Sequence, residues 1–378
     1  MFKKVSKILS YVVLLLVVLL TSSSGFIITD KLHQDYIFKN IERIKKLDKP
    51  KPLVKIAIIN SYSPNHPCTM PQVEGLLDFL YQYRKVFDYD IRAFYLRTKT
   101  VNIKPDQMDN VARKAIHFVN EFKPDIVVTT DDNAARLVGI PISLKYTVVS
   151  SGVNRPAYDY IHSYGLHAKT NKIIFVQEQI RLDSFFNLLK ESHTFVDEAY
   201  IFVEPDSMMT VTGYYMLKNY LNELRAKVPS VHIVHISTTS QLRTFLKDLE
   251  LKKRFNNILL VVAAQRIYND KGQLVPKTEY LKILRKYNHS FLELGANPQF
   301  CKYGLAVCEA PSFRSMGNIS GAIVIDYLIK KYYYPGEKIP DYCTWTTGIN
   351  VLAVNEKRLR QLGYYNLVGN AKLINIMY

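Results

Sequence analysis

Short runs of polar, turn-forming residues follow three apolar segments in the first half of the chain. They are residues 60–64 (Asn-Ser-Tyr-Ser-Pro), 129–133 (Thr-Thr-Asp-Asp-Asn) and 150–154 (Ser-Ser-Gly-Val-Asn). Carboxylates such as Asp131 and Asp132 can pair with an ammonium group, while hydroxyls and free backbone amides can receive a carboxylate or another acceptor. These residue types indicate a binding site for a small polar solute. The same types also cap helices, so Asp131 or Asp132 equally fits the cap of a helix that starts at Asn133.

Sequence motifs of the common catalytic centres are missing from the chain. There is no G-x-S-x-G, no G-x-x-x-x-G-K-[ST], no G-x-G-x-x-G after a strand and no H-E-x-x-H. The nine histidines are mostly isolated, and the four cysteines show no C-x-x-C spacing. The sequence therefore predicts no enzyme, no cofactor and no metal site. The alternative is a secreted enzyme that uses Asp131 or Asp132 as a base.

The elements that would position these residues alternate between short strands and helices, which is typical of βαβ units with a parallel sheet. The first unit has predicted strands at 54–60, 89–96, 125–130 and 146–150, with helices at 72–85 and 105–122. The carboxyl ends of parallel strands share one sheet edge, so the three polar runs should converge there. From this unit we predict eight ligand-binding residues: Ser61, Tyr62, Thr69, Asp131, Asp132, Asn133, Ser151 and Asn154.

A second unit of similar size begins after Gly165, which suggests two lobes. Its predicted helices are 179–192, 210–226, 240–252 and 278–287, and its predicted strands are 199–204, 232–237 and 257–263. The remaining strands near 291–294, 304–308 and 349–355 and the helix 313–332 are too few for a third domain and should return through both lobes. Asn297 and Glu309 lie near the expected crossovers. The equivalent ligand-binding residues on this side are Glu204, Asp206, Thr210, Thr212, Gln265 and Arg266.

The chain is strongly basic but shows no concentrated basic surface. It has 378 residues with 50 Lys plus Arg against 33 Asp plus Glu, a net charge of +17, and 48% apolar residues. The length allows two ordinary domains, and this apolar content excludes disorder as the main state. Because the basic residues are scattered and no nucleic-acid-binding motif is present, we expect no nucleic-acid partner.

Residues 1–25 read as an export signal. Three lysines within the first seven residues precede an apolar run at 8–20 and a small-residue segment at 21–25. The run is 13 residues, shorter than the roughly 20 that span a bilayer, which favours removal between Ser22 and Phe26. The alternative is a protein that stays membrane-anchored by an uncleaved segment. Residues 26–53 are polar and basic and are predicted to be a spacer.

Cys301 and Cys308 could form a disulfide in an oxidising compartment. An extended spacer would hold their Cα atoms roughly 20 Å apart, far beyond disulfide range, so four free thiols are the alternative. Only a tight reversal around residues 302–304 would bring them together.

Several stretches resemble the type 1 periplasmic substrate-binding proteins of the uncharacterised ABC-transporter class, a branch related to extracytoplasmic sensor domains. The resemblance covers residues 54–366. It is carried by residues 60–64 with Pro67, Thr69 and Gly75, by residues 123–134, by 148–154, by Met316-Gly317 with Gly321-Ala322, by 334–340 and by 355–363.

This resemblance implies an α/β fold of two Rossmann-like lobes with parallel sheets, joined by a three-crossover hinge. Lobe 1 is expected at 54–164 plus 309–340 and lobe 2 at 165–308 plus 341–378. The implied function is that of an exported, periplasmic or extracytoplasmic solute-binding protein that presents its ligand to an ABC permease or a membrane sensor. From Asp131 and Asp132 we expect an amine-bearing ligand such as an amino acid. The further alternative is a structural relative that has lost its ligand.

Overall fold

The computed structural model describes most of the chain from residue 39 onward. The described residues are 39, 41–47, 49–203, 211–251, 257–263, 267–296, 299–339, 341–370 and 374–377, with the backbone alone at 211–213 and 299. The predicted export signal and most of the predicted spacer lie outside these residues.

The first part of the chain builds one parallel sheet with its helices. A helical turn at 41–45 comes first, and its Ile44 is buried in the core of this part. The elements that follow are β1 (Leu53–Asn60), α1 (Thr69–Gln82), β2 (Asp88–Tyr95), α2 (Pro105–Phe122), β3 (Ile126–Thr130), α3 (Asp131–Ala134), a π-helical turn (Ala135–Gly139), α4 (Ile140–Ile142), β4 (Val148–Val153), α5 (Ala157–Ser163) and β5 (Ile173–Gln177).

The second part builds another sheet before the chain returns. Its elements are α6 (Asp183–Glu191), β6 (Glu198–Val203), α7 (Val211–Arg225), β7 (Ser230–His235), α8 (Thr239–Leu251), β8 (Ile258–Val262), β9 (Ile267–Tyr268), β10 (Leu274–Val275), α9 (Lys277–Tyr287), β11 (Leu292–Gly295), α10 (Gln299–Lys302) and β12 (Val307–Pro311). The return consists of α11 (Phe313–Tyr332), β13 (Thr344–Thr347), β14 (Asn350–Val354), α12 (Glu356–Gln361), α13 (Tyr365–Val368) and β15 (Ile376–Met377).

Two main sheets define two lobes. The first sheet has the order β13-β5-β4-β3-β1-β2 and is parallel throughout. The second has the order β15-β14-β12-β11-β8-β6-β7, and in it only the pair of β12 with β14 is antiparallel. The central strands β3, β4 and β8 are buried along their whole length, as expected where helices cover both faces of a sheet. The expected α/β class with parallel sheets is confirmed.

The chain crosses between the lobes three times, at 178–182, at residue 312 and at 348–349. These positions differ from the expected boundaries, because β5 and β13 belong to the first sheet and residues 309–311 to the second. β5 was not predicted, because its apolar run covers only residues 173–176 and has no flanking glycine or proline, and the second lobe was therefore expected to begin too early. Glu309 does lie beside a crossover. Its carboxylate accepts hydrogen bonds from the backbone N–H groups of Ser184 (3.2 Å) and Phe185 (2.8 Å) at the start of α6.

Helix α1 is held against the sheet by an unusually close approach of α11. A Cβ atom at Gly317 would lie 2.0 Å from the carbonyl oxygen of Gln72, and one at Gly75 would lie 2.1 Å from that of Arg314. Only glycine allows the two backbones to approach this closely. This packing fixes the first turn of α1, which carries Thr69 and Gln72.

None of the helices in the described residues is long and apolar enough to cross a membrane.

The tight reversal that a Cys301–Cys308 disulfide requires is present in the second lobe. The chain turns back after α10 at Gly304, whose φ is +102°, and enters β12. Both cysteines are fully buried, and their Sγ atoms lie 2.8 Å apart as free thiols. The extended spacer assumed for the alternative is therefore wrong, and the geometry favours a bond under oxidising conditions.

We therefore expect protein from an oxidising compartment to show two reactive thiols when denatured without reductant, those of Cys68 and Cys343, and four after reduction. Thiol counting on the denatured protein measures this. The Cys301→Ser variant serves as the control, because all three of its remaining thiols should react without reductant. Four reactive thiols in the unreduced wild-type protein would contradict the prediction.

Candidate functional site

The three polar runs converge at the carboxyl edge of the first sheet, as the sequence predicts. Ser61 joins two of them: its Oγ donates to the carbonyl oxygen of Thr130 (2.6 Å) and accepts from the backbone N–H of Ala134 (2.8 Å). The backbone N–H of Asn154 donates to the Asp132 carboxylate (3.2 Å) and so joins the third. These bonds satisfy Ser61 internally and give the edge a fixed geometry.

Asp132 is a structural residue of this edge. Its carboxylate accepts hydrogen bonds from the backbone N–H groups of Asn154 and Arg155 (3.2 and 3.1 Å) and from the Tyr160 hydroxyl (2.7 Å). The short helix α3 begins at Asp131 rather than Asn133, and no side chain caps it. Asp132 therefore holds the loop after β4 in place through hydrogen bonds and does not cap a helix.

Asp131 has a different environment although it is the adjacent residue. It is 3% exposed and has a φ of +65°, a left-handed conformation that is uncommon outside glycine. Gln72 Nε2 lies 3.4 Å from its Oδ2, at the long end of hydrogen bonding. Burial raises the pKa of Asp131 to about 7, and the Asp132 carboxylate raises it further. Lys99 and hydrogen bonds from Gln72 and Tyr62 lower it but do not offset the burial. Backbone strain and a poorly compensated carboxylate are features that concentrate at functional sites.

Four buried polar atoms without a hydrogen-bond partner belong to residues at the strand ends and the helical turn next to Asp131. They are Thr69 Oγ1, Gln72 Oε1, Ser151 Oγ and Asn60 Nδ2, in residues that are at most 1% exposed. Leaving such an atom unpaired costs about 1–3 kcal/mol, so structures rarely keep one without a reason. Gln72 contacts Asp131, a Cβ at Gly152 would touch Gln72, and Ser151 precedes Gly152. Gln72 Oε1 therefore lies beside Asp131, and the other three atoms belong to residues at the same strand ends or in the same helical turn, where a polar ligand would satisfy them.

Because Gly152 has no side chain, the Gln72 side chain can occupy the space beside it. Its φ is +68°, and an added Cβ would lie 2.7 Å from Gln72 Oε1. We expect Gly152→Ala to cost about 2–5 kcal/mol of unfolding free energy, because a left-handed alanine costs about 1–2 kcal/mol and overpacking adds about 1–3. Gly165→Ala is a matched control, since Gly165 has a φ of +58° with nothing within 4 Å. Denaturant unfolding of both variants measures the difference, and equal losses would contradict the role assigned to Gln72.

Glu178 is a site residue that the sequence analysis missed. It follows β5 directly, at the start of the first crossover, and its Oε2 accepts a hydrogen bond from Asn154 Nδ2 (3.1 Å). Burial raises the pKa of Glu178 to about 8, and the Asp131 and Asp132 carboxylates raise it further against Lys99 and the Asn154 bond. A reading of βαβ alternation that had recognised β5 would have placed Glu178 at the same sheet edge as Asp131.

The loops after β1 and β2 cover the site from one side. Lys99 Nζ lies 3.8 Å from the centroid of the Tyr62 ring, and the Tyr62 and His66 rings are 4.4 Å apart. Burial raises the pKa of the Cys68 thiol and lowers that of His66 to about 4, so both are neutral at pH 7. Asn133 supports this cover, because its Nδ2 donates to Thr98 Oγ1 (2.9 Å).

The second lobe faces this site, and two contacts show how near it lies. The Tyr215 hydroxyl of α7 donates to Asp159 Oδ2 of α5 (2.5 Å), and Lys277 of α9 contributes to lowering the pKa of His66. The predicted residues Glu204, Asp206, Thr210, Gln265 and Arg266, together with Asn297 and the side chain of Thr212, lie outside the described residues.

Within the described ranges, no group of three or more His, Cys, Asp or Glu side chains is placed to hold a metal ion.

Comparison with known proteins gives matches in structure only. No family model matches the sequence, and no curated protein matches it. One similar structure is a conserved domain protein from Vibrio cholerae, with TM-score 0.55 and 15% identity over 86% of this chain and 99% of that one. Another is the ligand-free, open form of a substrate-binding protein with adhesive properties from Clostridium difficile, with TM-score 0.59 and 16% identity over 82% and 95%.

A third similar structure is an ABC domain in complex with L-Trp from Streptococcus pneumonia, with TM-score 0.54 and 11% identity over 85% of this chain and 100% of that one. Each of these three comparisons covers more than four fifths of this chain, which is more than either lobe alone. The fold is that of the type 1 periplasmic binding proteins. At these identities the likeness concerns the fold.

Proposed function

We propose that this protein captures a small solute between its two lobes outside the cytoplasm and presents it to an ABC permease or a membrane sensor. The observation that carries the proposal is the group of buried, unpaired polar atoms around Asp131 at the carboxyl edge of the first sheet. Ligands of open α/β sheets bind outside this edge. A solute that satisfies these atoms and also contacts the second lobe favours closure about the three crossovers.

The chemistry of the site supports binding rather than catalysis. The charge of Asp131 acts on the nearby Cys68 thiol, and burial raises the pKa of Cys68 and keeps it a thiol. Burial also raises the pKa of the Tyr62 phenol well above its ordinary value. The solved structures of like fold described above include a substrate-binding protein and a complex with an amino acid. We therefore propose a binding protein, with the enzyme and the ligand-free relative as outcomes that the experiment separates.

The ligand class that fits the site carries an amine, with amino acids as the first compounds to test. Asp131 is a buried carboxylate next to the unpaired acceptor Gln72 Oε1, and an ammonium group can donate to both. The first turn of α1 has no side-chain cap, and Thr69 Oγ1 is unpaired there. The backbone N–H groups of residues 68–70 already donate to His66, so it is the Thr69 hydroxyl that can donate to a carboxylate at the other end of the ligand.

Export is part of the proposal, on the pattern of residues 1–25. Cleavage would leave a mature N-terminus between Ser22 and Phe26, and retention of the apolar run would leave the protein anchored.

Thermal unfolding with a panel of amino acids, biogenic amines and sugars tests the function. A ligand at a hundred times its dissociation constant adds about 2.7 kcal/mol to the unfolding free energy, so the melting temperature should rise with one compound class. A panel without effect would favour the ligand-free relative. Chemical conversion of a stabilising compound would favour the enzyme.

A further inference from the structure

Glu178 and Asp131 are two buried acids that share one neighbourhood without a cation of their own. Neither forms an ion pair among the described residues, and each raises the pKa of other groups at the site. Asn154 links them indirectly, because its backbone N–H donates to Asp132 and its side chain donates to Glu178. A buried carboxylate without a partner is costly, and the protein then favours its protonated form.

The groups packed around the two acids are mostly acceptors or neutral. Gln72 directs its amide nitrogen toward Asp131, which leaves its Oε1 beside the carboxylate without a donor. Lys99 is the cation that acts on both acids, and its Nζ sits over the Tyr62 ring. The charged and titratable groups around the acids, element by element, are Tyr62, His66 and Cys68 after β1, Lys99 after β2, Asp132 after β3, Arg155 and Tyr160 after β4, and Tyr220 and Lys277 from the second lobe.

The net charge of the acids and Lys99 favours some classes of amine ligand over others. Three carboxyl groups face one lysine, and only Asp132 has its charge satisfied by three hydrogen bonds. A zwitterion brings no net charge and leaves one of the other two acids uncompensated. A solute with net positive charge compensates it, and its N–H groups also satisfy Gln72 Oε1.

We propose that Asp131 and Glu178 together bind the positively charged part of a solute that is a net cation at neutral pH, and that this solute displaces the protons the two acids hold in the empty cleft. The inference rests on the proposed function for its ligand. It adds Glu178 as a specificity-determining residue and adds a pH dependence: affinity should rise as the pH increases through the range in which the acids lose their protons.

The first experiment needs no ligand. Carbon-13 NMR of Asp and Glu carboxyl groups in the free protein should show the Asp131 and Glu178 resonances titrating near pH 7 and pH 8. Glu309 of β12, whose pKa burial also raises to about 7, gives a further elevated resonance, and Glu178→Gln should remove only the one near pH 8. Glu191→Gln is the matched control, because Glu191 is exposed at the far end of α6 and should leave both resonances in place. Titration of both Asp131 and Glu178 below pH 5 would overturn the inference, whatever the protein binds.

The second experiment uses matched probes that differ in one charge. The pair is L-norleucine with L-lysine, which keeps its net positive charge over this range, and calorimetric titration measures their affinities at pH 6.0, 7.5 and 8.5. We expect the net-cationic member of a pair to bind more tightly, with affinity rising roughly tenfold or more from pH 6.0 to pH 8.5 in the wild-type protein and in Glu191→Gln. In Glu178→Gln this rise should fall, together with the preference for the cation.

The two proposals fail in different ways. If the zwitterions bind and the cations do not, or if Glu178→Gln binds both with unchanged affinity and pH dependence, the present inference is overturned and solute capture stands. If none of the probes nor any compound of the wider panel binds, both are overturned.

Discussion

Replacing Arg358 with methionine is expected to destabilise the second lobe by about 3–5 kcal/mol, the range for removing one partner of a buried ion pair. Arg358 in α12 is 5% exposed, and Glu293 in β11 is fully buried. Arg358 Nε donates to both carboxylate oxygens of Glu293 (3.2 and 3.1 Å), and Nη2 donates to Glu293 and to the carbonyl oxygen of Asn288 (3.0 Å). The variant leaves a buried carboxylate without its counter-ion. Denaturant unfolding monitored by circular dichroism measures the loss.

Arg360→Met in the same helix is the matched control. Arg360 is about half exposed and pairs with Glu356 four residues earlier (2.7 Å), so its loss should cost less than about 0.5 kcal/mol. A second variant separates the unpaired charge from lost packing: Glu293→Leu combined with Arg358→Met should recover much of the stability, because it removes both charges. A loss in Arg358→Met no larger than in Arg360→Met would contradict the prediction.

Local patterns predicted the elements well where a helix had clear boundaries. The expected helices at 105–122 and 313–332 match α2 and α11 residue for residue. Pro105 begins the first of these, and Ser312 caps the second by accepting from the backbone N–H of Ser315. Such signals lie within a few residues of the boundary they set, and for that reason a single sequence contains them.

The assignment of strands to lobes was predicted less well. β13 is four residues long and pairs with β5, which lies 170 positions earlier in the register between Thr344 and Ile174. No local pattern encodes such a pairing. Because both strands were missed, two of the three crossovers were expected at the wrong place, although their number and the two-lobe arrangement were expected from the resemblance.

The candidate site, like the fold, was predicted from the sequence only in part. Residue types and strand ends predicted Thr69, Asp131 and Ser151, which carry a strained acid or unpaired atoms. They also predicted Ser61, Asp132 and Asn133, whose hydrogen bonds are satisfied within the protein. Gln72 and Glu178 were missed, because one lies inside a helix and the other follows a strand that was not recognised. Adjacent acids with the same pattern can differ fully in environment, and only the packing distinguishes them.

The second large expected effect concerns Asp131 and Asp132. Their Asn variants should have opposite consequences for ligand binding and for stability. Asp131→Asn should weaken binding of an amine ligand by about 2–5 kcal/mol, or roughly 30-fold to several thousand-fold, the scale for removing one partner of a buried charge pair.

In the free protein the same variant should be stabilising at high pH. The pKa of Asp131 in the folded protein, about 7, lies above the ordinary value of 3.8. The bound proton therefore makes its full contribution to the unfolding free energy below about pH 4, and this contribution is lost as the pH rises through 7. Asparagine has no proton to lose, so this variant should melt above the wild-type protein at pH 8 and close to it at pH 4.

Asp132→Asn should show the reverse result. An amide oxygen cannot replace both carboxylate oxygens that receive the N–H groups of Asn154 and Arg155, and one buried donor left unpaired costs about 1–3 kcal/mol. The free protein should therefore melt lower at every pH, while ligand affinity should change less than in Asp131→Asn. Thermal unfolding at pH 4 and pH 8, with calorimetric titration of the amine that the panel identifies, measures both variants. Unchanged affinity in Asp131→Asn, or a ligand without a cationic group, would contradict the role of Asp131.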